Sequence, residues 1–483
     1  MKLDLKDPSL LETRAYIGGE WVEGKKTSPI TNPSTGEVVA EVADMEASDV
    51  AAAIDAAFDV QKDWAAKTAK ERSTLLLKWQ QLTLDNQEDL ALILTAEMGK
   101  PLAEARGEIA YGASFIQWFA EEARRVYGDV IPGHQDDKRL VVLRQPVGVV
   151  GSITPWNFPN AMIARKVGPA LAAGCSFVGR PAEKTPLSAL ALAVLAERAG
   201  LPKGILSIVP GLDYAGMGQE LCSNPKIRKL TFTGSTEVGR ILIRQCAHDI
   251  KKLSLELGGN APFIVFNDAD LDKAVEGAII AKYRNSGQTC VCANRIYVQS
   301  GVYDAFAEKL AKATSDLKVG DGMVDGNNIG PLINEEGLAK VENHLEDAVS
   351  KGASVLTGGG RSELGGLFFQ PTVITGVKSG MKVINEETFG PLAPLIPFET
   401  DEEAVNLAND TEFGLASYFY TNNLSRAWHV SEALEYGMVG VNTGLISTAE
   451  APFGGVKSSG LGREGSKYGL DEYLEMKYVC FSV

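Results

Sequence analysis

Cysteine and histidine are scarce in this chain of 483 residues. The six cysteines are scattered along the chain, which argues against a secreted scaffold held together by disulfides. The four histidines are far apart in the sequence, which argues against a histidine metal site or a Ser/His/Asp triad. We therefore expect chemistry that needs no bound metal.

Long hydrophobic runs are also missing. No stretch approaches the roughly 18 consecutive apolar residues that a membrane-spanning helix needs. The first segment, MKLDLKDPSLLETRAYIGGEW, has mixed charge and lacks the apolar core of a secretory signal. We predict a cytoplasmic protein with no membrane partner.

Positive charge is in deficit, because 47 lysines and arginines face 62 acidic residues and the formal net charge is -15. Nucleic acids and anionic membranes need a basic surface, so neither is an expected partner. An acidic protein that handles an anionic substrate must concentrate positive charge locally. Individual buried arginines therefore become candidates for substrate binding.

The first part of the chain predicts a strand pair followed by long helices. The strands are expected over Ala15 to Val22 and Val38 to Val42, and a first helix over ASDVAAAIDAAFDVQKDWAAK. A second helix is predicted from after Ala69 to Gly99, where glycine is a plausible C-cap. A third helix is predicted to close on Gly128.

From about Leu140 the pattern changes to short apolar runs that alternate with helical stretches. RLVVLRQPVGVVGSIT, CSFVGRPA, ILSIVPG and KLTFTG are strand candidates, and a second alternating region begins near Leu253 with APFIVF, NRIYVQ, GGLFFQPTVITG and SYFYTNN. Such alternation is typical of parallel sheets covered on both faces. We predict two α/β lobes with a cleft between them.

Two glycine-containing segments are candidates for nucleotide binding. Gly460 to Gly465 matches G-x-G-x-x-G, but no strand precedes it and no acidic residue follows at the required distance, so we interpret it as a loop. In KLTFTGSTEVG a strand runs to Gly234 and a helix begins at Ser235 or Thr236, the arrangement that binds a pyrophosphate. Many strand-glycine-helix joints bind no ligand, so both interpretations stay open.

Two residues are candidates for covalent chemistry. Cys290 lies in the polar turn NSGQTCVC, where backbone N–H groups favour the attacking thiolate, although a single cysteine is also a common small core residue. Glu256 lies between leucines in SLELGG, where burial would make it a general base. The alternation of Leu253, Leu255 and Leu257 equally fits an outward-facing strand residue, and spacing alone does not decide.

Taken together, seven segments resemble the aldehyde dehydrogenase superfamily over almost the whole chain. They are TPWNFP, RPAEKTP, FTGSTEVG, LELGGNAP, GQTCVC, EETFGP and PFGGVKSSGLGREG. Within this superfamily, GDVIPGHQDDKRL, KYRNSGQTCVCANR and GREGSKYGLDEYLEMKYVC are most similar to succinate-semialdehyde dehydrogenases and almost equally to bacterial glutarate-semialdehyde dehydrogenases. The resemblance implies NAD(P)-dependent oxidation of a small carboxylated aldehyde, or a broader aldehyde specificity.

The resemblance also implies a role for each matched residue. Cys290 would attack the aldehyde, and Asn157 with the N–H of Cys290 would bind the oxyanion. Glu256 would activate the hydrolytic water, and Lys166 would support the region of Asn157. The residues implied in cofactor binding are Thr154, Pro155, Trp156, Arg180, Glu183, Gly234, Ser235, Glu387 and Phe389.

The resemblance further implies three structural units and self-association. The cofactor domain would comprise residues 1–124 and 147–255, and the catalytic domain residues 256–445. An oligomerisation arm and C-terminal segment would comprise 125–146 and 446–483. A homodimer or homotetramer is expected.

Substrate and cofactor preference depend on five positions. Four of them match residues of related enzymes, and one differs from the residue that is usual in the family. Arg165 and Arg284 match arginines that bind the substrate carboxylate, assisted by Ser447. Arg180 stands where the family usually has lysine, and its guanidinium suits a phosphate. Glu183 would repel a 2′-phosphate, so we predict NAD as the preferred cofactor and tolerance of NADP.

Two further hypotheses remain at this point. Cys292 is close enough in sequence to form a labile disulfide with Cys290, or it is a neighbour without a redox role. A cofactor-free thiol hydrolase and a non-catalytic protein are the rival classes. Neither rival explains why FTGSTEVG and EETFGP accompany Cys290, Glu256 and Asn157.

Overall fold

The computed structural model describes residues 1–483. Its α-helices are α1 (Ala47–Ala66), α2 (Ala69–Asp85), α3 (Gln87–Met98), α4 (Leu102–Glu122), α5 (Ala161–Ala173), α6 (Leu187–Ala199), α7 (Tyr214–Ser223), α8 (Thr236–Cys246), α9 (Leu271–Tyr283), α10 (Tyr303–Ser315), α11 (Glu335–Ser350), α12 (Lys382–Asn385), α13 (Asp401–Asn409), α14 (Leu424–Ala433) and α15 (Ser466–Asp471). None of them is both long and apolar enough to cross a membrane.

The strands follow the same chain order. They are β1 (Ala15–Ile17), β2 (Glu20–Val22), β3 (Lys26–Thr31), β4 (Val38–Asp44), β5 (Asp129–Ile131), β6 (Lys138–Pro146), β7 (Val149–Ile153), β8 (Ser176–Arg180), β9 (Leu206–Ile208), β10 (Ile227–Thr233), β11 (Lys252–Glu256), β12 (Ala261–Val265), β13 (Ala293–Gln299), β14 (Ser354–Thr357), β15 (Thr372–Thr375), β16 (Leu392–Phe398), β17 (Ala416–Tyr420), β18 (Met438–Val441), β19 (Gly460–Leu461) and β20 (Leu474–Ser482).

Two large sheets confirm the predicted pair of α/β lobes. The first has the order β19-β11-β10-β7-β8-β9-β1-β2, and its five strands from β11 to β9 are parallel. The second has the order β14-β15-β16-β13-β12-β17-β18, and all its strands from β15 to β18 are parallel. Each lobe therefore has an edge at which the carboxyl ends of parallel strands meet.

Both faces of each sheet are covered. Consecutive residues of a strand point to opposite faces, and Phe177 and Val178 of β8 belong to two different hydrophobic clusters. In the second sheet, Phe263 and Ile264 of β12 divide in the same way. Helix α5 packs against the first sheet with all of its side chains buried, so its charged residues need partners inside the protein.

A third sheet confirms the predicted small β-arm. Strands β20, β6 and β5 are antiparallel, and β20 pairs with β6 from Leu474–Pro146 to Ser482–Lys138. The same C-terminal region also contributes β19 to the edge of the first sheet. The strands thus form the two lobes and the arm that were predicted. The boundaries of the three domains remain a prediction.

Several local predictions need correction. The segment Ala15 to Val22 is a tight hairpin of the first sheet, and β4 pairs with β3 instead. The predicted second helix is two helices, α2 and α3, because Asn86 leaves helical geometry. Gly99 does cap α3 with a left-handed φ of 91°. The third helix ends at Glu122 and a single 3-10 turn follows, so it does not close on Gly128.

Strand assignments were least accurate around the cleft. Strand β11, predicted to open the second region, lies in the first sheet beside β10. Strands β14, β16 and β18 were not predicted. The G-x-G-x-x-G match was interpreted as a loop, but its first two residues form β19, which pairs antiparallel with β11.

Candidate active site

One cavity of about 360 Å³ lies between the two lobes. Segments that follow β7, β10 and β11 contribute to one wall, and segments that flank β13 and β16 contribute to the other. Of the residues predicted from the sequence, the cavity is lined by Pro155, Trp156, Asn157, Arg165, Gly234, Ser235, Arg284, Cys290, Glu387, Phe389 and Ser447. The resemblance therefore selects residues that the fold brings together.

Cys290 lies between a strained turn and β13. Asn285 and Ser286 adopt left-handed φ angles of 53° and 56° ahead of it, which turns the chain sharply into the cavity. Burial raises the pKa of the Cys290 thiol to about 12, while the guanidinium of Arg165 acts in the opposite direction. The effect of the polar turn, which was predicted to favour a thiolate, is therefore outweighed by desolvation.

Asn157 is hydrogen-bonded to the segment that carries Cys290. Its Nδ2 donates to the main-chain carbonyl of Gln288 at 3.0 Å. The Nδ2 of Asn285 donates to the carbonyls of both Asn157 and Gln288, at 3.1 Å each. An amide NH2 has two hydrogens, so Asn157 keeps a second donor for the cavity that Cys290 also lines.

Glu256 ends strand β11 with its side chain in the interior, only 2% exposed. Its main-chain carbonyl accepts a hydrogen bond from Gly234 N at 3.0 Å, and its Oε2 has no hydrogen-bond partner. Burial and then the charge of Glu464 raise the pKa of Glu256 well above its usual range. The outward-facing alternative is wrong, and the buried carboxylate is a stronger base than a solvated one.

Lys166 was predicted to support the region of Asn157, but its side chain bonds to Glu464. Its Nζ forms an ion pair with Glu464, which also pairs with Arg165 of the same buried helix. Lys100 is the lysine that contacts Asn157, because its Nζ donates to the carbonyl of that residue at 2.7 Å. Sequence reasoning missed Lys100 and Glu464, since neither stands out from other charged residues in its segment.

The end of the cavity beyond Cys290 combines cations with aromatic rings. The guanidinium of Arg165 lies 4.2 Å from the ring centroid of Phe453, and that of Arg284 lies 5.3 Å from the centroid of Phe158. Tyr111, which the sequence did not reveal, lines the same cavity with a buried hydroxyl that has no hydrogen-bond partner. This end therefore suits a small anionic group on an otherwise apolar chain.

The opposite end of the cavity has the features of a nucleotide site. Ser235 caps helix α8 by accepting a hydrogen bond from Val238 N at 3.3 Å, directly after β10. Glu387 accepts from Gly259 N at 3.1 Å, and burial raises its pKa to about 7. Trp156 and Phe389 meet edge to face with their centroids 5.7 Å apart. A helix N-terminus at the end of a parallel strand attracts phosphate.

Arg180 and Glu183 lie at the same sheet edge but outside the cavity lining. Arg180 ends β8, and its carbonyl accepts from Thr154 N at 3.1 Å. Its guanidinium donates to Glu183 at 3.2 Å and to the carbonyl of Gly211 at 3.1 Å. Arg180 and Glu183 therefore form an ion pair.

Cys292 is buried and does not line the cavity. Its sulfur lies 3.3 Å from Nζ of Lys282, and its S–H donates to the carbonyl of that residue at 3.4 Å. A disulfide with Cys290 would therefore require Cys292 to leave these contacts.

The fold and the cavity together define a class of protein. Two open parallel sheets face a cleft that has a helix N-terminus at one end and a thiol with an adjacent amide donor further in. These are the parts of a nucleotide-dependent oxidoreductase that works through a covalent thiol intermediate.

Comparisons with known proteins agree with this class. The model of the aldehyde dehydrogenase family matches residues 21–479. The chain is 62% identical to a glutarate-semialdehyde dehydrogenase of Pseudomonas putida and 60% identical to the NADP(+) succinate-semialdehyde dehydrogenase GabD of Escherichia coli, each over the full length of both chains. It is 61% identical to a 3-sulfolactaldehyde dehydrogenase of Pseudomonas putida over 99% of both chains.

A solved structure gives the same result. The crystal structure of a succinate-semialdehyde dehydrogenase from Burkholderia pseudomallei is 62% identical, covers 100% of both chains and superposes with a TM-score of 0.99. The chain belongs to the aldehyde dehydrogenase family.

The raised pKa of Cys290 leads to a prediction about its reactivity. A thiol with a pKa of about 12 is protonated at neutral pH, so its thiolate fraction grows with pH. We expect the rate of Cys290 alkylation by iodoacetamide to rise about tenfold per pH unit from 7 to 9. Peptide mass spectrometry would follow Cys290 and, as a reference, the exposed Cys480. A plateau for Cys290 below pH 8.5 would contradict the burial effect.

Proposed function

We propose that this protein oxidises succinate semialdehyde to succinate with NAD(P), through a covalent intermediate on Cys290. The observation that carries the proposal is that Arg165 and Arg284 line the same cavity as Cys290. In a chain with a net charge of -15, two guanidinium groups beside a thiol favour an aldehyde that bears its own negative charge.

The chemistry at Cys290 needs groups from three residues of the chain. The sulfur, once deprotonated, forms a bond to the aldehyde carbon, and the carbonyl oxygen becomes an oxyanion. The free N–H of Asn157 and the main-chain N–H of Cys290 would donate to that oxygen. After hydride loss leaves a thioester, Glu256 would take a proton from water as the water attacks, which releases the carboxylate and the thiol.

The residues at the other end of the cavity fit a nicotinamide dinucleotide. The N-terminal N–H groups of α8, beside Ser235, have no acceptor within the helix and suit a pyrophosphate. Glu387 keeps one carboxylate oxygen that accepts no hydrogen bond and suits a ribose hydroxyl. When bound, the nicotinamide supplies the acceptor for the hydride of the aldehyde carbon.

Glutarate semialdehyde is the second candidate substrate. A relative named for it is 62% identical, and one more methylene is a small change in a cavity of about 360 Å³. A further relative is named for 3-sulfolactaldehyde, whose sulfonate is also an anion. The shared property of these names is an aldehyde with a distal negative charge, which supports the arginine pair as its binding site.

We also propose that the β-arm mediates a homodimer or homotetramer. Large apolar side chains are exposed on it, among them Val130 at 84% and Met476 at 75%. Exposed apolar surface of this kind is typical of protein interfaces. A cytoplasmic location, the domain boundaries and a preference for NAD remain predictions of the sequence.

The substrate assignment predicts a selective defect for Arg284→Ala. Loss of a charge-assisted contact, about 1.5–3 kcal/mol, should raise KM for succinate semialdehyde about 10- to 100-fold. The KM for butanal, which has no anion, should change less than about threefold. Steady-state rates at 340 nm would measure both, with Arg106→Ala, which removes an exposed ion pair with Glu88, as the control. An unchanged KM for the semialdehyde would show that Arg284 does not bind the carboxylate.

Cofactor preference should depend on Glu183. A carboxylate beside the adenine ribose repels a 2′-phosphate, so wild type should have the higher kcat/KM with NAD. Glu183→Ser should shift the NAD/NADP ratio of kcat/KM about tenfold toward NADP, since one unfavourable charge contact is of that order. Glu363→Ser, at an exposed loop residue, is the control. A strong NADP preference in wild type, as named for the Escherichia coli relative, would overturn the prediction.

The hypothesis of a Cys290–Cys292 switch predicts reversible inactivation. Peroxide should inactivate wild type, and a thiol reductant should restore most of the activity because a strained disulfide is readily reduced. Cys292→Ala should lose activity irreversibly, whereas Cys175→Ala, at another buried cysteine, should behave as wild type. Equal recovery of wild type and Cys292→Ala would exclude the switch.

A further inference from the structure

The beginning of helix α4 and the loop before it contain an unusual group of charged residues that are buried or half-buried. Lys100 and Glu108 form an ion pair at 2.6 Å with side chains that are 0% and 1% exposed. Glu104 lies between them in the chain and is half-buried. Charged side chains are costly to bury, so each needs specific partners to be retained.

The two carboxylates hold main-chain groups that flank the cavity. Glu108 accepts hydrogen bonds from Asn160 N at 2.9 Å and Ala161 N at 3.2 Å. The side chain of Asn160 does not cap α5, so Glu108 caps this helix instead. Glu104 accepts from Asn285 N at 2.8 Å, at the left-handed turn ahead of Cys290. One short stretch of chain therefore contacts both walls of the cavity.

Lys100 contacts the main chain between the segments that Glu104 and Glu108 bind. Its Nζ donates to the carbonyl of Asn157 at 2.7 Å and lies 3.8 Å from the ring centroid of Phe158. The same carbonyl accepts from Asn285 Nδ2. The main chain of Asn157 is thus fixed by two donors, while its side-chain amide remains directed toward Gln288 and the cavity.

We propose that Lys100 is a positioning residue for the oxyanion donor: its ammonium group fixes the main chain of Asn157, so that the amide of that residue meets the oxyanion formed on the Cys290 adduct. The inference rests on the proposed role of Asn157. Lys100 itself touches neither substrate nor nucleophile, since it does not line the cavity. A donor held about 1 Å out of place loses about a hundredfold in rate, so a main-chain anchor matters for catalysis.

The test must remove the contact without leaving Glu108 as an unpaired buried charge. Lys100→Met combined with Glu108→Gln removes both charges and keeps their volumes, and the glutamine carbonyl still accepts from the N–H groups of α5. We expect kcat/KM for the aldehyde, and the single-turnover rate of NADH formation, to fall about 10- to 100-fold. The Kd for NAD and the Tm should stay close to wild type.

Alkylation of Cys290 separates positioning from general disorder. Iodoacetamide attack forms no oxyanion, so its rate in the double variant should remain within about twofold of wild type. A parallel loss of alkylation and of NADH formation would show that the variant disturbs the nucleophile itself, which would overturn the inference.

The chain offers a matched control at another buried lysine. Lys251 Nζ donates to the carbonyls of Asn224 at 2.7 Å and Ile227 at 2.9 Å and pairs with Asp249 at 3.0 Å, away from the cavity. Lys251→Met with Asp249→Asn should leave kcat/KM within about twofold. A loss equal to that of the Lys100 variant would mean that removal of any buried lysine has this effect, and would overturn the inference.

A double-mutant cycle identifies the residue through which Lys100 acts. If the ammonium acts through Asn157, adding the Lys100→Met/Glu108→Gln pair to Asn157→Ala should cause less than about twofold further loss. Multiplicative losses would overturn the inference while the role of Asn157 stands. If Asn157→Ala alone keeps the wild-type rate, the oxyanion assignment is wrong and the inference falls with it.

Discussion

The hydrogen bond from Asn157 to the carbonyl of Gln288 crosses from the first lobe to the second, and the relative position of the reacting groups depends on it. The amide follows a strand of one sheet, whereas Cys290 precedes a strand of the other. The packing within each lobe does not by itself fix the distance between Asn157 in the first lobe and Cys290 in the second. The side-chain amide of Asn285 donates to the main-chain carbonyls of both Asn157 and Gln288, which makes the junction a closed network that resists displacement.

A cluster of buried charged residues is the second feature on which the active site depends. The fully buried helix α5 brings Arg165 and Lys166 into the interior, and Glu464 compensates both. Arg165 also lines the cavity, so the group proposed to bind the substrate is already fixed in orientation before substrate arrives. Such preorganisation limits the entropy lost on binding. The same cluster surrounds Glu256, whose basicity therefore reflects the arrangement of several helices and loops.

The sequence was sufficient for the fold class and for most of the cavity, because strand-helix alternation and seven dense motifs are local patterns. It was insufficient for Lys100, Glu104 and Glu108, because charged residues at the start of an amphipathic helix and in the loop before it normally face solvent. Glu108 bonds to the start of α5 and Glu104 bonds to the Asn285 turn, and both of these segments are distant in the chain. The break at Asn86 and the membership of β11 in the first sheet likewise depend on tertiary packing that no short window contains.

The ion pair of Lys166 with Glu464 joins residues that are 298 positions apart. During synthesis the ribosome produces α5 long before it produces residue 464. Arg165 and Lys166 therefore have no ion-pair partner until Glu464 has been added to the chain. A partly made chain can thus assemble most of its first sheet and still lack the groups that neutralise its interior. The cluster of Arg165, Lys166 and Glu464 is consequently completed late in folding. The same part of the chain adds the last strand, β19, to the first sheet.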